Sequence, residues 1–157
     1  MSRLVGYGDL SGDGRADLLT VERSTGRLCL YTGTAAGTLG ARTLIGNGGW
    51  NAMNALVGVG DLNGDGRAGL YAREAATGKL WLYPGRRGPL GPRALVGGGG
   101  WNATDSLVAN GDRSADGRPD LLATDGHWLF RYRGLSTGGV AAAEKTSATW
   151  WSLNGVF

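Results

Sequence analysis

The sequence predicts an all-β fold of three tandem four-stranded units, and three observations carry that prediction. One motif occurs three times: Gly8-Asp9-Leu10-Ser11-Gly12-Asp13-Gly14-Arg15-Ala16-Asp17 recurs from Gly60 to Gly69 and again from Gly111 to Asp120. The leading aspartates Asp9, Asp61 and Asp112 lie 52 and 51 residues apart, a period in the range of propeller blades and solenoid units. No apolar pattern of 3.6-residue period persists for about ten residues, whereas short apolar runs bounded by turn residues abound. Finally, 31 glycines against 4 prolines among 157 residues, with 41% hydrophobic residues, describe a turn-dense globular chain and not a disordered or collagen-like one.

Each unit reads as four strands in order. The first strands fall at 3–8, 55–60 and 106–110, each ending in an aspartate loop. Second strands follow at Leu18-Leu19-Thr20-Val21, Leu70-Tyr71-Ala72-Arg73 and Leu121-Leu122-Ala123-Thr124. Thr25-Gly26 and Thr77-Gly78 mark tight turns into the third strands, Leu28-Cys29-Leu30-Tyr31 and Leu80-Trp81-Leu82-Tyr83, with Leu129-Phe130-Arg131-Tyr132 as the third copy. Alignment across the copies places Trp81 in the core beside Cys29 and Phe130. Fourth strands are expected at 42–45, 93–96 and around 145–148. A last landmark, Gly49-Trp50-Asn51-Ala52, recurs as Gly100-Trp101-Asn102-Ala103 and, degraded, as Trp150-Trp151-Ser152. The whole chain, 1–157, is thus expected to be one repeat domain with approximate units 1–51, 52–102 and 103–157.

Composition narrows the function. The one cysteine, Cys29, excludes an intrachain disulfide and a multi-cysteine zinc site, and the one histidine, His127, leaves little scope for imidazole chemistry. The net charge of +3 comes from 14 arginines and 2 lysines scattered singly apart from Arg86-Arg87. A nucleic-acid partner is not expected, because such binders gather cations into a stripe. No apolar run approaches the ~20 residues of a membrane helix. The acidic residues are what cluster, with eight of the ten aspartates inside the three repeated loops.

The spacing Asp-x-Ser/Asn-x-Asp-Gly-x-x-Asp puts oxygen-bearing side chains at positions 1, 3, 5 and 9 of a tight loop, with the carbonyl of position 7 able to join them. Calcium takes six to eight oxygens at about 2.3–2.6 Å, and glycine at position 6 permits the turn that folds such a loop over an ion. The expected ligands are Asp9, Ser11, Asp13, Asp17 and the Arg15 carbonyl in the first loop, and Asp112, Ser114, Asp116, Asp120 and the Arg118 carbonyl in the third. The second loop offers Asp61, Asn63, Asp65 and the Arg67 carbonyl but has Gly69 at position 9, so it is the weakest site. Two to three structural Ca2+ ions are expected. Position 12 is Thr20, Ala72 or Ala123 with a β-like run following, which separates these loops from helix-loop-helix sites.

On these residues (three in-register loops, the Leu-Leu or Leu-Tyr strand after each, and the Trp-Asn-Ala segment between units) the chain resembles the FG-GAP/VCBS repeats of integrin-type β-propellers, in the form found in secreted actinomycete proteins. The resemblance spans nearly the whole chain. It implies propeller blades, calcium in the loops, an extracellular location, and a role as a lectin, an adhesion domain or a companion of secreted hydrolases.

Closed propellers need about four to eight blades, and three are present, so closure is expected through a homodimer or as part of a longer array. A β-trefoil is the alternative for three four-stranded repeats. The expected function is a non-catalytic secreted binding or scaffold module, glycan- or cell-wall-binding, with a hydrolase accessory domain or a protein–protein adhesion or inhibitor module as the alternative. No nucleophile–base pairing and no open nitrogen-ligated metal site suggests an enzyme. Trp50-Asn51 and Trp101-Asn102 are candidate sugar contacts, an indole face beside an amide. Packing of these indoles between units is the favoured role, since large aromatics are usually buried. If they stacked on sugar, Trp50→Ala or Trp101→Ala would remove binding and leave folding intact.

Overall fold

A computed structural model of the chain describes residues 3–6, 8–62, 64–86, 90–109 and 111–147. Twelve strands run in chain order: β1 (Arg3–Gly6), β2 (Leu18–Val21), β3 (Leu28–Gly33), β4 (Leu39–Gly46), β5 (Met53–Gly58), β6 (Leu70–Glu74), β7 (Leu80–Tyr83), β8 (Ala94–Gly97), β9 (Ser106–Ala109), β10 (Leu121–Thr124), β11 (Leu129–Tyr132) and β12 (Glu144–Ser147). They form three antiparallel sheets of four, each in strict sequence order. Each sheet is a self-contained meander, so the protein is a tandem of three four-stranded propeller blades. The trefoil alternative falls on this topology, because it needs hairpins shared in a common barrel.

Two 3-10 turns, Trp50–Ala52 and Trp101–Ala103, follow the first two blades. The sequence pattern did not anticipate these turns, which are too short to show a period. The third tryptophan landmark, Trp150-Trp151-Ser152, lies outside the described residues.

The alternation of strand side chains sends one set to each face of a blade, and both faces of blade 2 are covered. The first core joins Leu19, Leu28, Leu30 and Trp50 of blade 1 to Leu56, Leu70 and Ala72 of blade 2. The second joins Val57, Tyr71, Leu80, Leu82 and Trp101 to Leu121 of blade 3, with Leu107 and Tyr132 packed against it. Each tryptophan crosses a joint to the tyrosine of the next blade. Trp50 lies 4.6 Å from Tyr83 and Trp101 lies 4.7 Å from Tyr132, centroid to centroid, in tilted geometry.

Glycine makes room for these indoles. A Cβ on Gly46 would fall 2.2 Å from Trp50 Nε1, and one on Gly97 would fall 1.9 Å from Trp101 Nε1. The tryptophan N–H groups of the main chain bond back to the hairpin of their own blade, Trp50 to the Gly26 carbonyl at 3.1 Å and Trp101 to that of Gly78 at 3.2 Å. Asn51 and Asn102 close the same contact by donating from Nδ2 to the Arg23 and Ala75 carbonyls at 3.0 and 2.8 Å. Buried Arg73 fixes the second turn, giving Nη1–H to the Trp101 and Thr104 carbonyls at 2.8 and 2.7 Å and Nε–H to Asn54 Oδ1 at 2.7 Å.

Trp81 departs from its expected core position. It is only half-buried on the outer part of blade 2, with the Arg93 guanidinium 4.0 Å over its ring and exposed Leu95 opposite it in the ladder. Cys29, at the same register position, is small enough to be enclosed by its neighbours.

Filling the indole's space is expected to be costly. Gly97→Ala should lower unfolding free energy by about 1–3 kcal/mol in urea titration. Gly98→Ala, with open space around its added methyl, should be nearly neutral.

Candidate metal-binding loops and blade joints

The three aspartate loops link the first and second strands of each blade. In all three, the aspartate at position 1 is cradled by the backbone that follows it. Asp9 Oδ1 accepts from the Gly12 and Asp13 N–H at 2.6 and 3.0 Å, and Oδ2 accepts from Gly14 at 2.6 Å. Asp61 repeats this with Gly64, Asp65 and Gly66 at 2.7, 3.0 and 2.8 Å. Asp112 accepts from Ser114, Asp116 and Gly117 at 3.1, 3.2 and 2.7 Å. The aspartate at position 5 receives the N–H of position 7: Arg15 on Asp13, Arg67 on Asp65 and Arg118 on Asp116, at 2.9, 2.9 and 3.0 Å.

The glycines at position 6 take left-handed φ values of 84°, 79° and 85° at Gly14, Gly66 and Gly117, a region that costs other residues about 1–2 kcal/mol. Position 4 is left-handed as well, with Gly12 at 81° and Gly64 at 74°, but in the third loop it is Ala115 at 60°. The third loop therefore carries a strained alanine that the first two avoid.

Position 9 also has a task that its spacing does not show. Asp17 is buried, its Oδ2 accepting from the Leu10 and Ser11 N–H at 2.9 and 2.7 Å and its Oδ1 from Gly33 in β3 at 3.0 Å. Asp120 is 1% exposed and does the same with Arg113 at 2.9 Å and Gly134 at 3.2 Å. Asp17 pins its loop to the third strand of its own blade, and Asp120 pins its loop to Gly134, two residues beyond the end of β11. The glycine each meets is required there, because a Cβ on Gly33 or Gly134 would lie 2.4 Å from the Ala16 carbonyl oxygen or 2.3 Å from that of Pro119. Blade 2 keeps the glycine, Gly85, but has Gly69 in place of the carboxylate.

The loops thus differ as candidate ion sites. In the third, Asp112, Asp116 and Asp120 each bring an oxygen within 4.8 Å of the others, about the separation allowed to two oxygens on one calcium ion. The Ser114 hydroxyl lies between them, 3.3 Å from Asp112 Oδ1 and 3.2 Å from Asp120 Oδ1. This all-oxygen donor set fits a hard divalent cation. Among the described residues no second group of three carboxylates converges as closely. In the first loop Asp17 accepts from backbone through both oxygens, as Asp120 does, and Asp13 Oδ2 faces Arg15 Nη1 at 3.3 Å. In the second, Asn63 lies outside the described residues.

Electrostatics favour ionised carboxylates at Asp9 and Asp112. Slight burial would raise the pKa of Asp9, but the N–H groups of Gly14, Gly12 and Asp13 with the Ser11 hydroxyl outweigh it and hold the carboxyl below the ordinary aspartate value. For Asp112 the Gly117 N–H is the largest cause of the same lowering, opposed by slight desolvation and reinforced by Asp116, Ala115 and Ser114.

Trp50 and Trp101 are buried at the blade joints, in the favoured packing role, with their rings against the next blade's tyrosine. Their truncation would open a cavity in an inter-blade core and act through folding. Asn51 and Asn102 are exposed, with their amide N–H groups engaged in the hairpin contacts described above. A groove at the joint of blades 1 and 2 is lined by Leu10, Ser11, Leu30 and Thr43 from blade 1 and by Asp65 and Arg67 from blade 2. It offers a hydrocarbon floor with hydroxyl, carboxylate and guanidinium edges.

Residues 9–72 match the family model of the FG-GAP-like repeat. No curated protein matches the chain. Among solved structures the chain is similar to a lectin from Agrocybe aegerita, described for specific recognition of non-reducing terminal N-acetylglucosamine, with a TM-score of 0.64 and 18% identity. That match covers 92% of this chain and 37% of the lectin, and at this identity it is a likeness of fold.

Two outcomes follow from the loop geometry. Ala115→Gly should relieve the left-handed strain and raise unfolding free energy by about 1 kcal/mol, as read by urea denaturation. Because the native pKa values of Asp9 and Asp112 are depressed, their contribution to stability is complete above the unfolded aspartate pKa of about 4 and is lost as pH falls through the native values. Melting temperature against pH should therefore drop on the acid side of about pH 4, and Asp9→Asn should make that drop shallower.

Proposed function

Because the chain carries FG-GAP-type repeats on a propeller-like fold shared with a lectin, we propose that it is a secreted, non-catalytic binding module whose blades are stabilised by calcium and whose ligand is a glycan or cell-wall polymer. The observation that carries this reading is the convergence of Asp112, Asp116 and Asp120 on one point at the edge of a blade. Calcium there would neutralise three carboxylates that otherwise repel, so binding of the ion would stabilise the fold. Asp9, Ser11, Asp13, Asp17 and the Arg15 carbonyl would hold a second ion. Asp61, Asn63, Asp65 and the Arg67 carbonyl would form the weakest site. The units 1–51, 52–102 and 103–157 would each supply one loop and one blade.

The fold shared with a lectin supports a carbohydrate ligand, and the groove between blades 1 and 2 has the mixed lining that sugar recognition requires. Ser11, Thr43, Asp65 and Arg67 would hydrogen-bond to hydroxyls above the floor made by Leu10 and Leu30. Nothing in this arrangement activates a nucleophile.

Calcium at 100 times its dissociation constant should add about 2.7 kcal/mol and raise the melting temperature by roughly 5–10 °C. Asp116→Ala should abolish most of that rise. A glycan array probed in calcium and again in chelator should show calcium-supported sugar binding that Arg67→Ala weakens without changing the strand spectrum. An unchanged melting temperature in chelator would remove the calcium reading. A blank array with intact calcium response would shift the ligand to a protein.

A further inference from the structure

Blades 1 and 3 each leave one face uncovered among the described residues, and the two faces are of opposite kinds. On blade 1 it is the face of Leu4, Leu18, Tyr31 and Leu44, whose register counterparts in blade 2 are Leu56, Leu70, Tyr83 and Leu95. Leu4 is 67% exposed where Leu56, pressed against blade 1, is 8% exposed. On blade 3 it is the face of Val108, Leu122 and Leu129. Their counterparts include Leu19 and Leu28 in blade 1 and Val57, Tyr71 and Leu80 in blade 2, which fill the two inter-blade cores.

Blade 3 breaks the repeat at two core positions on this face. Arg113 stands where Leu10 and Leu62 are buried, and Arg131 stands where Leu30 and Leu82 are buried. Arg131 bonds Glu144 at 2.6 Å and the Arg113 carbonyl at 3.2 Å, and its buried Nε has no partner. Arg133 shares the same glutamate at 3.0 Å. Three arginines against Glu144 and the buried Asp120, which also acts on Arg131, leave this end of the face with a net positive charge.

The internal joint shows what an incoming blade brings to that place. At the joint of blades 1 and 2, Leu10 and Leu30 line a groove with Asp65 of the next blade's loop. The counterpart of Asp65 in blade 1 is Asp13, in a loop that also carries Asp9, Asp17 and the Arg15 guanidinium, 3.3 Å from Asp13, so its net charge is negative. Repeating the joint on blade 3 sets Leu4, Leu18 and Tyr31 over Leu122 and Leu129, and sets an acidic loop against Arg113 and Arg131. Both the apolar and the charged parts match.

We propose that blade 1 of one copy of this chain docks on blade 3 of a second copy, head to tail, with the second copy's Asp13 loop facing Arg113 and Arg131. Two such joints about a twofold axis close a six-bladed ring, within the range of closed propellers. The joint shares Asp13 with the first calcium loop and Arg113 with the third, so it is read in chelator, where the outcome does not depend on the calcium reading.

Sedimentation equilibrium of the full chain reads the proposal, with an expected mass twice the monomer's 16.2 kDa and a dissociation constant that rises at least about tenfold as salt goes from about 0.05 to 1 M. Leu4→Arg blocks the head and Arg113→Glu blocks the tail. Each alone should sediment as a monomer with an unchanged strand spectrum, and an equimolar mixture should recover the dimer mass through its one unaltered joint. Leu44→Arg replaces the head variant if Leu4→Arg fails to fold. A monomeric parent chain at about 100 μM would overturn the proposal. So would species larger than two copies, a mixture that stays monomeric, or a single variant that still dimerises, which would mark a like-to-like joint.

Discussion

A sheet of four short antiparallel strands with no helix laid over it has two faces to bury, and here each covered face is covered by the next sheet. The rest of the structure follows from that constraint. Both cores lie between blades and neither lies within one, so cohesion passes from neighbour to neighbour as in other repeat proteins. The tryptophan after each of the first two blades is the bolt of the joint. Its ring reaches the next blade's tyrosine, its N–H returns to its own blade's hairpin, and a glycine at the end of the fourth strand clears the space it occupies.

The aspartate loops sit at the edge of these joints, which ties the chemistry of the site to the packing. A carboxylate beside a blade joint must find donors or lose stability. Position 1 finds them in the backbone of its own turn, and position 9 finds them in the loop and at or just past the end of the third strand. These bonds orient the remaining carboxylate oxygens toward a common point in the third loop without drawing on side-chain donors other than Ser114. A loop of this design is largely organised by main chain, and the cradle of the position-1 aspartate recurs in all three copies.

The blades were legible in the sequence because the period of about 50 residues repeats strand, loop and turn in register. The tryptophan turns were legible as a motif, and burial of large aromatics favoured their place between units, but their bonding was not legible. Nothing in Gly-Trp-Asn says that the indole needs a glycine four residues earlier, at Gly46 and Gly97. Nor does it say that the asparagine closes on a hairpin 27 or 28 residues away. Trp81 misled because alignment with Cys29 and Phe130 fixes its register but not how far out along the blade the next sheet extends. Glu22 and Glu74 share a device: each accepts from the hydroxyl of the threonine three residues on, Thr25 and Thr77, and so closes its hairpin. The signal was present as Glu-x-x-Thr in both copies. Arg73 gave no signal, because a lone arginine in a strand reads as an exposed edge.

Blade 2 separates two devices that the other loops combine. Its loop keeps the cradle around Asp61 and lacks the anchoring carboxylate, with Gly69 in its place and Leu82 3.1 Å from where a Cβ would be. It is also the blade whose two faces are both covered, with Leu70, Tyr71 and Leu80 at most 1% exposed. Two joints hold its strands from either side, so a carboxylate tying loop to third strand adds little that packing does not already provide. Blades 1 and 3 have one covered face each among the described residues, and both keep the anchor, at Asp17 and Asp120. The cradle shapes the loop and is needed wherever the loop exists, whereas the anchor holds a blade together where a neighbour does not. On this division position 9 belongs to the mechanics of the blade, and its loss in the middle repeat follows from the stacking of the sheets.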